Sequence, residues 1–291
     1  MNNVALNTRG RKGAIRTHRE KLFFLMVFMS KGVEVLEVLV TRFMRTREHI
    51  VETAKSIAYL FRDALMGISV CFLNERVNEA PGAALVVDCT VCKIRRPKTP
   101  FQDAKVFFSG KHYIYALKKE VCVNVRSGTA ALVSKAYPGS VHDIKILKEH
   151  AAEVNDVLGT RSLLADLGYR GAQRDVPTIV VCEQASRELR SKRVIVECFF
   201  GRLKMLWSVF STTWRLGEDS FDVFFDTACA FTNLDILRRP LRDEDREFNE
   251  GVIRSIIMEL KRKADRQRRL NTEYRERRRE RLGIGQSEES E

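Results

Sequence analysis

A single carboxylate inside an apolar run constrains this chain more than any other feature. Residues 83–92 read Ala-Ala-Leu-Val-Val-Asp-Cys-Thr-Val-Cys, with no Gly, no Pro and no charge apart from Asp88. A continuous run rich in β-branched residues is the pattern of a strand buried on both faces. An ionised carboxylate in such a strand is costly unless it is paired, hydrogen-bonded or bound to metal. The chain must therefore build a covered sheet and bring something to Asp88.

The remaining patterns supply that sheet. Strands are expected at His112–Leu117, Val121–Val125, Ala130–Ser134, Ser162–Asp166 and Pro177–Cys182, with helices over 141–157, 190–210 and 219–239. A meander of strands that then alternates with helices reads as an α/β fold with a mixed sheet. Upstream, Leu22, Leu25, Met26 and Met29 recur at helical spacing, followed by Val35, Leu36 and Leu39 and by Ile50, Ala54, Ile57, Ala58 and Phe61. These are short helices separated by tight breaks. They fit a helix-turn-helix unit or, equally, a bundle packed on the main domain. Four parts follow: a basic flexible arm over 1–21, a helical unit over 22–80, the α/β domain over 81–242 and a charged extension over 243–291.

Charge narrows the partners. Lys and Arg number 51 against 38 Asp and Glu, for a net charge of +13 and a pI of about 9.6. Such a surface attracts polyanions, nucleic acid first and acidic lipid second. A basic RNA-associated scaffold is the reading that rests on charge alone. The excess is concentrated at the ends: six Lys and Arg against one Glu over 1–21, and eleven against four acids over 260–282. The latter segment reads as an extended charged helix or a disordered basic tail. Seven cysteines without a disulfide framework point to reduced thiols in nucleus or cytosol. Cys89 and Cys92 have no second pair spaced to complete a zinc site. Leu22–Met29 is too short for a signal peptide and lacks a cleavage site, and no stretch approaches membrane-spanning length.

Two further carboxylates interrupt apolar sequence. Asp166 ends Ser-Leu-Leu-Ala-Asp and precedes Leu-Gly-Tyr, whereas Glu197 lies in Arg-Val-Ile-Val-Glu-Cys-Phe-Phe. Each has a bland reading: a turn residue before Gly168 for Asp166, and an i, i+4 partner of Arg193 for Glu197. Asp88 itself could pair with a buried Arg. If the three converge, they form an oxygen-rich site suited to Mg²⁺ or Mn²⁺, and a pair of such ions suits phosphodiester cleavage.

The segments Asp88-Cys-Thr…Ile94-Arg-Arg-Pro97, Phe107-Phe-Ser-Gly-Lys-His112, Tyr137-Pro-Gly-Ser-Val-His-Asp143, Leu164-Ala-Asp-Leu-Gly-Tyr169 and Arg193-Val-Ile-Val-Glu-Cys-Phe-Phe-Gly-Arg-Leu-Lys204 occur in that order. Together they resemble the DDE superfamily endonuclease domain of PIF/Harbinger-like and related insertion-sequence transposases, over roughly residues 84–236. The resemblance implies a ribonuclease H-like fold, with Asp88 on the first strand, Asp166 after the fourth and Glu197 on a following helix. It implies a metal-dependent DNA endonuclease with two Mg²⁺ or Mn²⁺ ions on these three acids, and strand transfer as a further step. Asp143 is the second choice for the middle acid, because an Asp that opens a helix is favoured by capping alone. His142 beside it reads either as a phosphate or metal-shell contact or as a structural histidine. Lys111, Lys118, Arg202 and Lys204 are the expected DNA-phosphate contacts. DNA is the implied partner, met as a homo-oligomer, with a separate DNA-binding protein as a further partner for target choice. The alternative is a domesticated relative that binds DNA or chromatin without cutting.

Overall fold

Asp88 occupies the fourth position of β1 (Leu85–Lys93), the central strand of a seven-stranded sheet. The structure is a computed structural model that describes residues 15, 17–67, 70, 85–181 and 192–281. Residues 1–14 of the expected arm, the Pro81-Gly82 boundary and Cys182 lie outside them. The sheet also contains β2 (Phe108–Ser109), β3 (Ile114–Asn124), β4 (Ala130–Val133), β5 (Tyr137–Pro138), β6 (Leu163–Ala165) and β7 (Ile179–Val181). β1 runs antiparallel to β3 over its whole length and parallel to β6, which is parallel to β7. The short strands β2, β4 and β5 all pair antiparallel with β3.

Nine helices in the described residues flank this sheet. They are α1 (His18–Lys31), α2 (Val33–Phe43), α3 (Arg47–Met66), α4 (Phe101–Lys105), α5 (Asp143–Glu149), α6 (Ala151–Leu158), α7 (Val194–Leu206), α8 (Phe221–Arg238) and α9 (Arg246–Arg281). Strand alternation sorts them into two layers. Leu85 and Val87 point to one side, where they pack with Leu147 of α5 and with Val154 and Leu158 of α6. Val86 points to the other, into a cluster with Phe199 and Leu203 of α7, Phe224 and Phe225 of α8, and Phe24, Phe28, Ile50 and Ile57 of the first three helices. Each such side chain contributes about 1.5–3 kcal/mol by leaving water. The result is a mixed sheet covered on both faces, in a ribonuclease H-like arrangement.

The charges of β3 set where the helices lock on. Lys118, Lys119 and Glu120 interrupt two apolar runs, and the sequence reading broke the chain there into two strands. The structure corrects this: residues 114–124 form one strand, because all three charges are neutralised. Lys118 Nζ lies 2.8 Å from Asp143 Oδ1, Lys119 Nζ lies 2.7 Å from Asp222 and 3.0 Å from Asp226, and Glu120 faces His150 at 3.0 Å. Arg62 of α3 binds Asp226 at 2.7 Å, so the same buried cluster joins the N-terminal helices to α8. The single helix expected over 141–157 is likewise two, α5 and α6, parted at His150, whose imidazole faces Glu120.

The charged C-terminal segment forms a helix of 36 residues in its described part, α9. Its first turns pack on α8: Val252 and Ile256 share a cluster with Leu237, and buried Asn249 donates to the Ile236 carbonyl at 3.3 Å. From Ile257 to Arg281 no described side chain is buried. Among the described residues no helix is long and apolar enough to cross a membrane.

Candidate active site

The β1–β6 register brings the first two acids together. Leu85 pairs with Leu163 and Val86 with Leu164. Carried two residues on, the same parallel register sets Asp166, just past the end of β6, beside Asp88 within β1, on adjacent strands spaced about 4.8 Å apart. Asp166 follows β6 and caps a short 3₁₀ turn, its Oδ1 accepting from the Gly168 amide at 2.7 Å. Asp143 opens α5 from the opposite side. A Cβ at Gly168 would lie 3.0 Å from Asp166 Oδ1 and 3.5 Å from Asp143 Oδ2, so both carboxylates close on this glycine and any side chain there would crowd them.

Asp88 carries the electrostatic cost of that convergence. Burial, together with the charges of Asp166 and Asp143, pushes its carboxyl from 3.8 up to about 6, against the opposing pull of the Cys89 amide and Arg193. The Cys89 N–H donates to Asp88 Oδ1 at 2.8 Å. Glu197 is in the first turn of α7 with its side chain 57% exposed, and Arg193 NH2 lies 3.4 Å from its Oε1. Arg193 is therefore the cation felt by both Asp88 and Glu197. The structure thus brings together Asp88, Asp166 and Asp143 and leaves Glu197 turned toward Arg193. Among the described residues no three His, Cys, Asp or Glu side chains stand close enough to hold one ion. The chemistry of the donor set nevertheless fits a hard divalent cation. It consists of carboxylate oxygens, and the one nearest the sheet interior pays a burial cost that a cation would offset.

The four expected phosphate contacts differ in their freedom. Lys118 is held by Asp143 and by the Val141 carbonyl at 2.7 Å. Arg202 is held by Asp235 at 2.7 Å and by the Arg239 carbonyl at 3.0 Å, and Lys204 donates to the Val91 carbonyl at 3.2 Å. Lys111 is exposed on the turn between β2 and β3. His142, at the N-cap of α5, is exposed and makes no side-chain cap bond.

Beneath the acids lies a polar cluster that sequence reasoning missed. Glu120 is 1% exposed and contacts His150, Tyr169 and Cys89. The His150 Nδ1 faces the Ile146 carbonyl at 2.7 Å, and a carbonyl only accepts, so Nδ1 carries a proton. A neutral imidazole would then present a bare Nε2 to the Glu120 carboxylate 3.0 Å away, leaving both atoms unsatisfied. One shared proton resolves the contact. Burial opposes the charge on His150, but Glu120 outweighs it and raises the imidazole above its ordinary 6.5; burial raises Glu120 as well. The only signals in the sequence were the Lys-Lys-Glu interruption and a histidine within a helix pattern.

A pH dependence follows. Both groups hold protons more tightly folded than unfolded, so their stabilisation is complete at low pH and is lost as pH rises through the folded value. Between pH 6.5 and 8.5 the urea midpoint is expected to fall, and His150→Gln is expected to flatten that decline. An equally steep decline in His150→Gln would show that the pair does not titrate in this range.

The family model described as DDE superfamily endonuclease matches residues 87–233, half of the 291-residue chain. No curated protein and no solved structure matches it.

Proposed function

The chain belongs to the DDE superfamily of endonucleases, and from that premise we propose that it is a transposase-type nuclease, of the PIF/Harbinger kind, that hydrolyses DNA phosphodiester bonds at Asp88, Asp166 and Glu197. The observation that carries this reading is the convergence of Asp88 and Asp166 on two adjacent parallel strands, with burial and the neighbouring carboxylates raising Asp88 to about 6. Asp88 and Asp166 would hold a pair of Mg²⁺ or Mn²⁺ ions, with Glu197 joining once its exposed side chain leaves Arg193. Such ions supply an activated water and neutralise the leaving oxygen.

The protein's own groups do the rest. The Asp166 carboxylate is oriented by the Gly168 amide, and Asp88 by the Cys89 amide. Lys118 neutralises Asp143, which favours an orienting role for Asp143 over a ligand role. Arg193, released from Glu197, is placed to meet a DNA phosphate, and Lys111 offers a further exposed positive charge. Strand transfer, homo-oligomer assembly on DNA, a separate target-recognition protein and action in the nucleus belong to the same reading.

A second reading has its own support. With Glu197 paired to Arg193, the chain could bind DNA without cutting, as a domesticated transposase would. Nicking of supercoiled plasmid by the full chain in Mn²⁺ decides between the two. The nuclease reading expects nicked circles from wild type, background levels from Asp166→Asn, and measurable nicking from Asp143→Asn. No nicking by wild type favours the binding protein. Inversion of the two Asn variants would make Asp143 the second ligand.

A further inference from the structure

The acids of the candidate site stand on separate pieces of chain, and one buried side chain touches all the pieces that carry Asp88, Asp143 and Asp166. Cys89, which follows Asp88, lies directly across the β1–β3 ladder from Glu120, with its Sγ 3.9 Å from Glu120 Oε2. Tyr169, three residues after Asp166 and fully buried, hydrogen-bonds Glu120 and lies 3.5 Å from Cys89 Sγ. His150, at the end of the helix that Asp143 opens, is 3.0 Å from Glu120 Oε1.

We propose that Glu120 is a positioning residue for the cation site: through Cys89, Tyr169 and His150 it fixes the backbone that aims Asp88, Asp166 and Asp143. This rests on the nuclease reading above. Stability is a poor reason to place a glutamate there, since a buried ion pair is often no better than well-packed apolar groups. What a fully satisfied polar cluster does supply is a unique arrangement of the segments it joins. Sites for cations need that arrangement held to within about 0.5 Å.

The neighbouring residue provides an internal control. Lys119 is equally buried, but it points to the other face and meets Asp222 and Asp226, and the other hydrogen-bond partner of Asp226 among the described residues is Arg62 of α3, away from the three acid-bearing segments. Loss of either cluster removes a buried charge pair, yet only loss of the Glu120 cluster should disturb the acids.

The experiment compares Glu120→Gln with Asp226→Asn in the full chain and measures Mn²⁺ binding through the electron paramagnetic resonance signal of the free ion. Outer-layer contacts of metal ligands are worth about 10–100-fold in affinity, so Glu120→Gln should weaken Mn²⁺ binding at least tenfold. Tyr169→Phe, which removes one hydroxyl and keeps the ring, should weaken it several-fold and serves if Glu120→Gln does not fold. Asp226→Asn should lower the melting temperature but leave the Mn²⁺ affinity of the folded protein at the wild-type value. Wild-type affinity in folded Glu120→Gln or Tyr169→Phe overturns the inference. So does an equal loss in Asp226→Asn, since the effect would then be general. Absence of Mn²⁺ binding by wild type sinks the nuclease reading and this inference together, whereas wild-type affinity in the folded variants sinks only the inference.

Discussion

Asp88→Asn is expected to abolish DNA cleavage, by roughly 10³-fold or more, and at the same time to make the metal-free protein more stable. The two effects share one cause. In the absence of a cation, the rise of Asp88 from 3.8 to about 6 means that folding holds its charged form in an unfavourable place. A rise of that size corresponds to about 3 kcal/mol at 1.36 kcal/mol per pH unit. Partial exposure to solvent, which screens the charge, reduces what the variant recovers to about 1–2 kcal/mol. A group whose folded value is raised stabilises at low pH and loses that contribution as pH rises through the folded value. The advantage of Asp88→Asn should therefore be present in full at pH 8, shrink as pH falls through 6 and vanish below about pH 3, where the carboxyl is neutral in both states. With chelator at pH 8, the melting temperature of Asp88→Asn should lie a few degrees above wild type, at about 2–4 °C per kcal/mol for a chain of this size. Added Mn²⁺ should then stabilise wild type and not the variant, because binding to the folded state alone raises its stability. A clear loss of stability at pH 8 would instead identify Asp88 as a structural partner of Arg193.

Removal of the exposed part of α9 should produce the second large effect, on DNA affinity. Over residues 257–281 the helix carries eleven Lys and Arg against five acids, and none of its described side chains is buried. Lys261, Arg268 and Arg275 recur every seven residues along one face, where Asp265, 3.7 Å from Arg268, is the neighbouring acid. Its ion pairs, such as Arg277–Glu273 at 3.4 Å, are exposed and hold little. Such a stripe suits the phosphate backbone. Each phosphate neutralised contributes about 0.9 to the slope of log affinity against log salt. The cut belongs after Met258 and not at Asp243, because Asp245, Asn249, Val252 and Ile256 are buried. A chain ending at 258 should fold with an unchanged melting temperature, bind DNA roughly 10²–10³-fold more weakly at low salt and lose about four to six from its salt slope. An unchanged slope would make the exposed helix a solvated surface with no DNA role.

How much of this was legible beforehand depended on whether the signal was local. The run at 83–92 identified the buried central strand, and the carboxylate within it marked the candidate site. Strand and helix periods gave the mixed sheet, and the ordered motifs from Asp88 to Lys204 pointed to the family. These are properties of short stretches, because alternation and apolar runs follow from the geometry of single elements. The choice between paired and solvated charge is not local. Lys118-Lys-Glu120 reads as a break between two strands until Asp143, His150, Asp222 and Asp226 are seen to neutralise it from 25 to 107 positions away. The same holds for Arg193 on Glu197, for Lys118 on Asp143, and for the packing of the first turns of α9 on α8. A charge in a sequence has the same appearance whether water or a distant partner surrounds it, and only tertiary structure decides which, because burial sets the dielectric in which the charge must be balanced.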